Sequence, residues 1–325
     1  MSMLVFDGIT GFTPPPAGIT LTIGNFDGLH LGHRRIIAAA RAAAADLGTP
    51  VVVMTFEPHP LAVLAPRHAP AQLTPLVEKL HLLETAGVDM CIVVRSTPPL
   101  LEKSADDFLN DLSTHCRPRA IIEGPDFNFG RERSGTIETL LAFGDRQGCV
   151  VQVVAAACCE ELSERPVIRS SAIRTAVQAG QVEIARAMLG RPYRIVGRVG
   201  SGARRGAGLG YPTVNLEAIE HLLPGQSVYA GLAQLEDNSY HLAAVNVGPQ
   251  PTFGPGTSCV EAYLLDWTGQ VRGQRIGLYF FERLRTQQRF ADASGLVAQI
   301  QRDVAAVRKH AADLNELASK TALPL

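Results

Sequence analysis

The stretch ITLTIGNFDGLHLGH, Ile19 to His33, decides how the first half of the chain is read. Its opening residues, Ile19-Thr20-Leu21-Thr22-Ile23, form an apolar run of strand type. The ten that follow, Gly24 to His33, hold three glycines and two histidines. A segment buried for packing alone has no use for so much backbone freedom, whereas glycines let a bound group come close to the main chain. From Leu31 to Leu47 the sequence turns alanine-rich and stops at Gly48, as a helix does. A helix starting there presents free N–H groups and the positive end of its dipole beside the glycines, an arrangement that attracts anions.

The same alternation continues outward. Strand-type runs fall at Val51–Phe56, Met90–Val94, Ala120–Ile122 and Val150–Ala155. Between them, Thr74 and Pro75 open a helix over Leu76–Ala86 that Gly87 closes. Ser104 and Asp107 make a capping pattern before Phe108–His115, and Thr136 opens a helix ending at Gly148. Five strands separated by crossover helices predict an α/β domain, a doubly wound parallel sheet covered on both faces. Ligands of such sheets bind beyond the carboxyl ends of the strands, which is where Gly24–His33 falls.

After Gly190-Arg191-Pro192 the pattern changes. Strand-type runs at Tyr193–Val199, Val228–Leu235, Tyr240–Val247, Cys259–Trp267 and Arg275–Phe281 follow one another without helices. Asp237-Asn238 and Thr268-Gly269 supply turns of hairpin type. This predicts a small antiparallel β-barrel. A terminal helix follows over about Ser294–Ala318, apolar at Leu296, Ile300, Val304 and Val307. The expected domains are residues 1–189 and 190–325.

A chain of 325 residues exceeds the usual size of one core, which fits two domains. It is 46% hydrophobic and 19% charged with net charge −1, so no basic excess points to nucleic acid or to an anionic membrane. No charged n-region precedes an apolar one at the N-terminus, and the longest apolar stretch, near Cys149–Cys159, is too short to span a bilayer and carries Gln152. The six cysteines show no CxxC spacing and read as small buried hydrophobes, including the pair Cys158-Cys159. The expected compartment is a reducing cytoplasm.

His30 and His33, three residues apart at a helix start, share a face. Without HExxH spacing or a nearby third ligand they do not read as a zinc site. Paired donors that grip phosphate oxygens as charge builds in a transition state suit them better. HxGH after a glycine-rich strand end is similar to the signature of nucleotidyltransferases that attack the α-phosphate of ATP and release pyrophosphate. It is joined by Thr55-Phe56-Glu57-Pro58-His59-Pro60, Gly124-Pro125-Asp126-Phe127-Asn128-Phe129-Gly130 and Ile168-Arg169-Ser170-Ser171-Ala172-Ile173-Arg174. Together these resemble the prokaryotic bifunctional riboflavin kinase/FAD synthetase family, through nearly the whole chain.

The resemblance implies roles. His30 and His33 would stabilise the reacting phosphates, with Gly24, Asn25, Phe26 and Asp27 shaping the loop. Ser170, Ser171 and Arg174 match the family's Ser-Thr-x-x-Arg element, which holds the triphosphate at a helix start. Asp126 and Phe127 match a loop on the flavin and nucleotide side. Pro125 and Arg169 depart from the family pattern without removing a phosphate ligand. Thr55–Pro60 reads either as a stiff turn or as a site lining, His59 included, and Asn128 as either a turn residue or a ligand.

In the second half, Gly197 to Gly210 supplies six glycines in fourteen residues. It lacks the GxxxxGK[ST] of a P-loop but leads into Tyr211-Pro212-Thr213-Val214-Asn215, whose oxygens suit hydrated Mg2+. The segment resembles the riboflavin kinase motif, Pro-Thr-Ala-Asn in the family. That resemblance makes Gly202, Gly206, Gly210, Pro212, Thr213 and Asn215 nucleotide-binding residues, with Thr213 and Asn215 on the metal. Val214 is a small departure, and Ala207 and Gln250 stand where arginine is common. Alternation alone turns Glu261, within Val260-Glu261-Ala262-Tyr263-Leu264-Leu265-Asp266, away from its apolar neighbours, and a strand glutamate of that kind is ordinarily solvated. The match to the family's Val-Glu-x-x-Leu-Leu-Asp instead implies the base that takes the proton of the riboflavin 5′-hydroxyl.

The expected function is phosphorylation of riboflavin to FMN by MgATP, then adenylylation of FMN by ATP to FAD and pyrophosphate. The expected partners are these small molecules, with neither nucleic acid nor membrane. Ala207 and Gln250 motivate the alternative, an FAD synthetase whose kinase domain binds flavin without turnover. Net charge near zero and the absence of a basic stripe stand against a flavin-sensing regulator acting on RNA.

Overall fold

In the computed structural model, which describes residues 2–200, 210–249, 258–312, 323 and 325, packing divides the chain into two units, Met1–Ile168 and Arg169–Leu325. The first runs β1 (Leu4–Asp7), β2 (Ile19–Ile23), α1 (Leu31–Leu47), β3 (Val51–Glu57), α2 (Pro60–Leu64), α3 (Leu76–Thr85), β4 (Met90–Arg95), α4 (Pro98–Leu101), α5 (Ala105–Asp111), β5 (Pro118–Glu123), α6 (Ile137–Gln147) and β6 (Val150–Val153).

Its sheet has the order β1-β4-β3-β2-β5-β6, and every pairing is parallel. All five residues of β2 are buried, threonines included, because helices cover both faces. On one face of the sheet Leu21, Ile23, Met54, Ile92 and Ile121 pack with Phe108, Leu140 and Phe143 from the helices. Five of these strands were expected. The sixth, β1, pairs Leu4–Asp7 with Met90–Val93 at the edge; three of its four residues are exposed, and its apolar run Leu4-Val5-Phe6 is only three residues long.

The chain leaves β2 for β3 and β4 on one side and returns to β5 and β6 on the other. The crevice between β2 and β5 is therefore the switch point of the sheet. The β2–β5 register runs only as far as Leu21 and Ile121. Beyond it the strands are tied by a side chain: the Glu123 carboxyl accepts the Ile23 N–H at 2.6 Å and faces the Thr22 hydroxyl at 3.5 Å. Glu123 is buried, and burial pushes its carboxyl well above the usual carboxylate range, against the opposing effect of these two hydrogen bonds.

The second unit opens with α7 (Ser170–Gln178) and α8 (Val182–Leu189) and continues as β7 (Tyr193–Val199), β8 (Thr213–Glu217), β9 (Ser227–Gln234), β10 (Tyr240–Pro249), β11 (Ser258–Leu264), β12 (Arg275–Thr286) and α9 (Ala293–Arg308). The strands close a barrel in the order β10-β11-β8-β7-β12-β9. Ala243, Val245, Val247, Val260 and Ala262 are fully buried and fill its interior. Register shifts between Phe280 and Glu282 and between Arg283 and Arg285 bend the long β12 around it. Helix α9, capped by Asp292, lies on the outside. Val307 packs on Ala230 and Leu265, and Asp303 pairs with Arg285 at 2.8 Å. The strand β8 was not expected, since Pro212 and the polar sequence TVNLE disguise it.

The break in sequence pattern at 190 is not the break in packing. Helices α7 and α8 continue the alternating pattern of the first half, yet they belong to the second unit. The Arg283 N–H donates to Glu183 at 2.8 Å, its guanidinium donates to the Ala179 carbonyl at 3.1 Å, and Arg186 lies 5.8 Å from the Phe281 ring centre. Val182, Ala185, Met188 and Leu189 are buried.

Two outcomes follow from this packing. A fragment beginning at Arg169 is expected to melt cooperatively and at a higher temperature than one beginning at Gly190, which loses the Glu183 and Ala179 contacts; equal melting temperatures would put the boundary back at 190. The second concerns Glu123. A raised carboxyl stabilises the fold below the unfolded value of 4.5 and loses that stabilisation as pH rises through the folded value. Glu123→Gln keeps an acceptor for Ile23 and cannot ionise. It is expected to match the wild-type melting of the first unit at about pH 4 and exceed it at about pH 8, by ~1.4 kcal/mol for each tenfold that burial disfavours ionisation. Parallel melting-temperature profiles for the two proteins would show that Glu123 is not neutral in the fold.

Candidate active sites

The loop after β2 is built on buried anchors. Phe26 and Leu29 are buried at φ +46 and +35, a left-handed backbone seldom adopted by side chains of that size, with Gly28 at +86 between them. Such strain persists only where surroundings enforce it. Here the Asp27 carboxylate accepts the N–H groups of Leu73 at 3.1 Å and Thr74 at 3.0 Å. That contact replaces the cap expected from Thr74, since α3 starts at Leu76 with no side-chain cap. Gly24 continues the sheet by donating to the Met54 carbonyl at 3.0 Å.

His30 is the N-cap of α1, and its Nδ1 accepts the His33 N–H at 3.2 Å. An accepting Nδ1 leaves the proton of a neutral ring on Nε2, which makes that edge a donor. The two rings stack at 3.6 Å with their planes 14° apart, and Phe26 closes on His33 from 5.1 Å. The glycine between the histidines has a steric reason: a Cβ at Gly32 would lie 3.1 Å from the His30 ring. Around the pair, Asn25 Oδ1 and Arg34 Nε are buried without a hydrogen-bond partner among the described residues. Both are hydrogen-bonding capacity that a polar ligand would use.

The Thr55–Pro60 segment is both a turn and part of this site. Thr55 donates to the Asn25 carbonyl at 3.2 Å. His59 caps α2 by accepting the Leu61 N–H at 3.1 Å and lies 3.2 Å from the Asn25 amide through Nε2. A small recess here is lined by Asn25, Asp27, Glu57, His59, Gln72 and Lys79. Lys79 is buried 3.8 Å from Glu57, and burial lowers its ammonium although the Glu57 and Asp27 carboxylates oppose the shift. Beyond β5, Phe127 stacks on Phe129 at 5.4 Å, Asp126 is exposed, and Asn128 makes a turn by donating to the Asp126 carbonyl at 2.7 Å. Neither Lys79 nor Arg34 was singled out in the sequence. A buried or half-buried cation looks like any surface lysine or arginine until its neighbours are known.

In the second unit, Ser170 and Ser171 occupy the first turn of α7 and Arg174 lies one turn on, with Arg169 as the extended N-cap residue. The helix start expected for them is present. Gly202 and Gly206, with Ala207 and Gln250, lie outside the described residues; Gly210 is described, at φ +83. Beyond it a cavity of about 680 Å³ is lined by Gly200, Pro212, Thr213, Asn215, Trp267 and Arg272, among others. Thr213 and Asn215 share one face of β8, and both line this cavity. Trp267, the single tryptophan of the chain, carried no motif to mark it.

Glu261 stands directly opposite Asn215 across the β8–β11 pairing, on the barrel's outer surface and half-buried. The thiol of Cys259 lies 3.5 Å from the Asn215 side-chain oxygen. It is pushed up to about 11 by burial first and then by Glu261 and Glu217. No cluster of three His, Cys, Asp or Glu side chains suited to a metal exists among the described residues. No helix among them is long and apolar enough to cross a membrane. All six cysteines are free, four of them buried; Cys158 is exposed, against expectation.

Comparison with known proteins agrees with this geometry. The FAD synthetase family matches residues 13–165, and the riboflavin kinase family matches residues 189–311. A bifunctional riboflavin kinase/FMN adenylyltransferase of Escherichia coli K12 is 36% identical over 91% of this chain and 93% of its own. One from Haemophilus influenzae is 34% identical over 88% and 92%. A crystal structure described as a macrolide-efflux protein from Streptococcus pneumoniae superposes with a TM-score of 0.84, at 26% identity, over 95% of this chain and 99% of that one. With two family matches in series and relatives a third identical over nearly their whole length, the chain belongs to the bifunctional riboflavin kinase/FMN adenylyltransferase family.

Proposed function

We propose that the two units divide the two reactions between them. The barrel transfers the γ-phosphoryl group of ATP to the riboflavin 5′-hydroxyl, giving FMN and ADP. The parallel-sheet unit transfers AMP from ATP to the FMN phosphate, giving FAD and pyrophosphate. Neither displacement needs a covalent nucleophile; positioning and charge stabilisation carry phosphoryl transfer.

For adenylylation, the observation that carries the reading is the stacked His30–His33 pair at an α-helix N-terminus beside the switch point. Its donor edges and the positive N-terminal end of α1 suit the charge that builds on the α-phosphate as pyrophosphate leaves. Asn25 and Asp27 hold the loop in shape. Ser170, Ser171 and Arg174, at the start of α7, have the hydroxyls and guanidinium that the family's Ser-Thr-x-x-Arg element turns to a triphosphate. Asp126 and Phe127 serve the flavin and nucleotide side.

For the kinase reaction, Gly202, Gly206, Gly210, Pro212, Thr213 and Asn215 bind the nucleotide, and Pro212, Thr213 and Asn215 line the cavity. Thr213 and Asn215 would hold Mg2+ through neutral oxygens, a fit supported by their shared place on the cavity wall with Glu261 opposite Asn215. When bound, the ion would neutralise charge on the transferring phosphates. Glu261, next to Asn215, takes the proton of the attacking hydroxyl. No described residue of the barrel favours a kinase that binds without turnover. The reading takes the cytoplasm as its compartment, which the free cysteines support, and small molecules rather than nucleic acid as its partners.

His33→Ala is expected to cut FAD formation by roughly 10²–10³-fold, as loss of an oxyanion-type donor does, while FMN formation from riboflavin stays at the wild-type rate. Adenylylation by the variant at near wild-type speed would sink the phosphate role of the histidine pair. Glu261→Gln should cut FMN formation by roughly 10²–10⁴-fold and spare adenylylation of supplied FMN. Calorimetry with riboflavin and ATP separates lost catalysis from lost binding: near-normal affinity without turnover supports the base, and unchanged turnover excludes it.

A further inference from the structure

A second asparagine stands beside Glu261. The registers β10–β11 and β11–β8 place Asn246 opposite Glu261 and Glu261 opposite Asn215. Residues directly opposite in an antiparallel pair point to the same face, with Cβ atoms about 4.5–5.5 Å apart. Asn215, Glu261 and Asn246 therefore form one polar row on the outside of the barrel. Their chain neighbours Val245, Val247, Val260 and Ala262 are fully buried inside it. The next row on the same outer face pairs Ala244 with Tyr263 and Tyr263 with Thr213; its apolar members Ala244 and Tyr263 pack alongside Leu242, Leu284 and, on α9, Val304. The polar row begins where that cover ends.

Asparagine is a poor strand former, so an asparagine within a ten-residue strand calls for another reason. Its side chain is held: Gln287 Nε2 donates to Asn246 Oδ1 at 2.6 Å and to the Val247 carbonyl at 3.0 Å. With the amide oxygen engaged, the two N–H donors of Asn246 are what it presents to its neighbours, and an ionised Glu261 is an acceptor only. A donor of this kind has a chemical advantage over lysine or arginine. A cation in that place would favour the ionised carboxylate and weaken it as a base, whereas a neutral amide orients it at smaller cost in basicity.

We infer that Asn246, fixed by Gln287, is a positioning residue of the kinase reaction that orients the Glu261 carboxylate toward the hydroxyl it deprotonates. This rests on the reading of Glu261 as the base. The full-length chain tests it through a cycle of Asn246→Ala, Glu261→Gln and the double variant, with FMN formation resolved into kcat and KM. Asn246→Ala is expected to lower kcat roughly 10- to 100-fold, the range carried by outer partners of functional groups, and to leave the riboflavin KM within about twofold. The double variant should be no slower than Glu261→Gln alone, since a residue that acts through another has nothing left to lose. Gln287→Ala, at an exposed position, should show a smaller loss of the same kind, and it carries the test if Asn246→Ala lowers the barrel's melting temperature. Adenylylation of supplied FMN reports on the integrity of the other unit throughout. Losses that multiply in the double variant, or a change in KM instead of kcat, overturn the inference. Inactive Glu261→Gln beside fully active Asn246→Ala overturns it alone, and fully active Glu261→Gln overturns the base reading and this inference together.

Discussion

The hydrogen bond between the Glu123 carboxyl and the Ile23 N–H holds the first unit together at the place where a doubly wound sheet is weakest. Parallel strands that diverge at a switch point run out of backbone partners, and an unpaired N–H there would carry the cost of any buried donor. A side chain from β5 fills the gap. The crevice that opens beyond it is the one place on the sheet where a ligand can meet two loops at once. The loop after β2 carries the histidine pair, the loop after β5 carries Asp126 and Phe127, and both are rooted within two residues of that bond.

The barrel solves a related problem by other means. Ala243, Val245, Val247, Val260 and Ala262 leave its interior mostly apolar, and the polar groups of the proposed kinase site, Asn215 and Glu261, lie on the outer surface. Helix α9 covers part of that surface with Val304 and Val307. Where that cover ends, the β10 and β11 side chains change from Ala244 and Tyr263 to Asn246 and Glu261 within one step along the strands.

Much of this was legible in the order of residues. The run Ile19–Ile23, the glycines after it and the stop at Gly48 located a strand, a loop and a helix correctly, because each depends on local rules of period and capping. Strands that break those rules escaped. Leu4–Asp7 is mostly exposed, and Thr213–Glu217 follows a proline with polar side chains. The grouping of α7 and α8 with the barrel escaped for a different reason. Their partners Phe281 and Arg283 lie about a hundred residues along the chain, and nothing in a helix's own period names its partner. Asn246 was hidden in the same way. Single asparagines in strands look like breakers, and only the pairing register shows that one of them flanks Glu261.

The single tryptophan has an optical consequence. Trp267 lines the cavity of the second unit and also lies 6.1 Å from the His241 ring. No other residue of the chain emits in the indole range, so the protein's fluorescence is a signal from one wall of one cavity. Whatever enters beside Thr213 and Asn215 alters the polarity around that ring, while events in the parallel-sheet unit occur where the chain has no indole. The protein therefore carries its own label, on one of its two sites only.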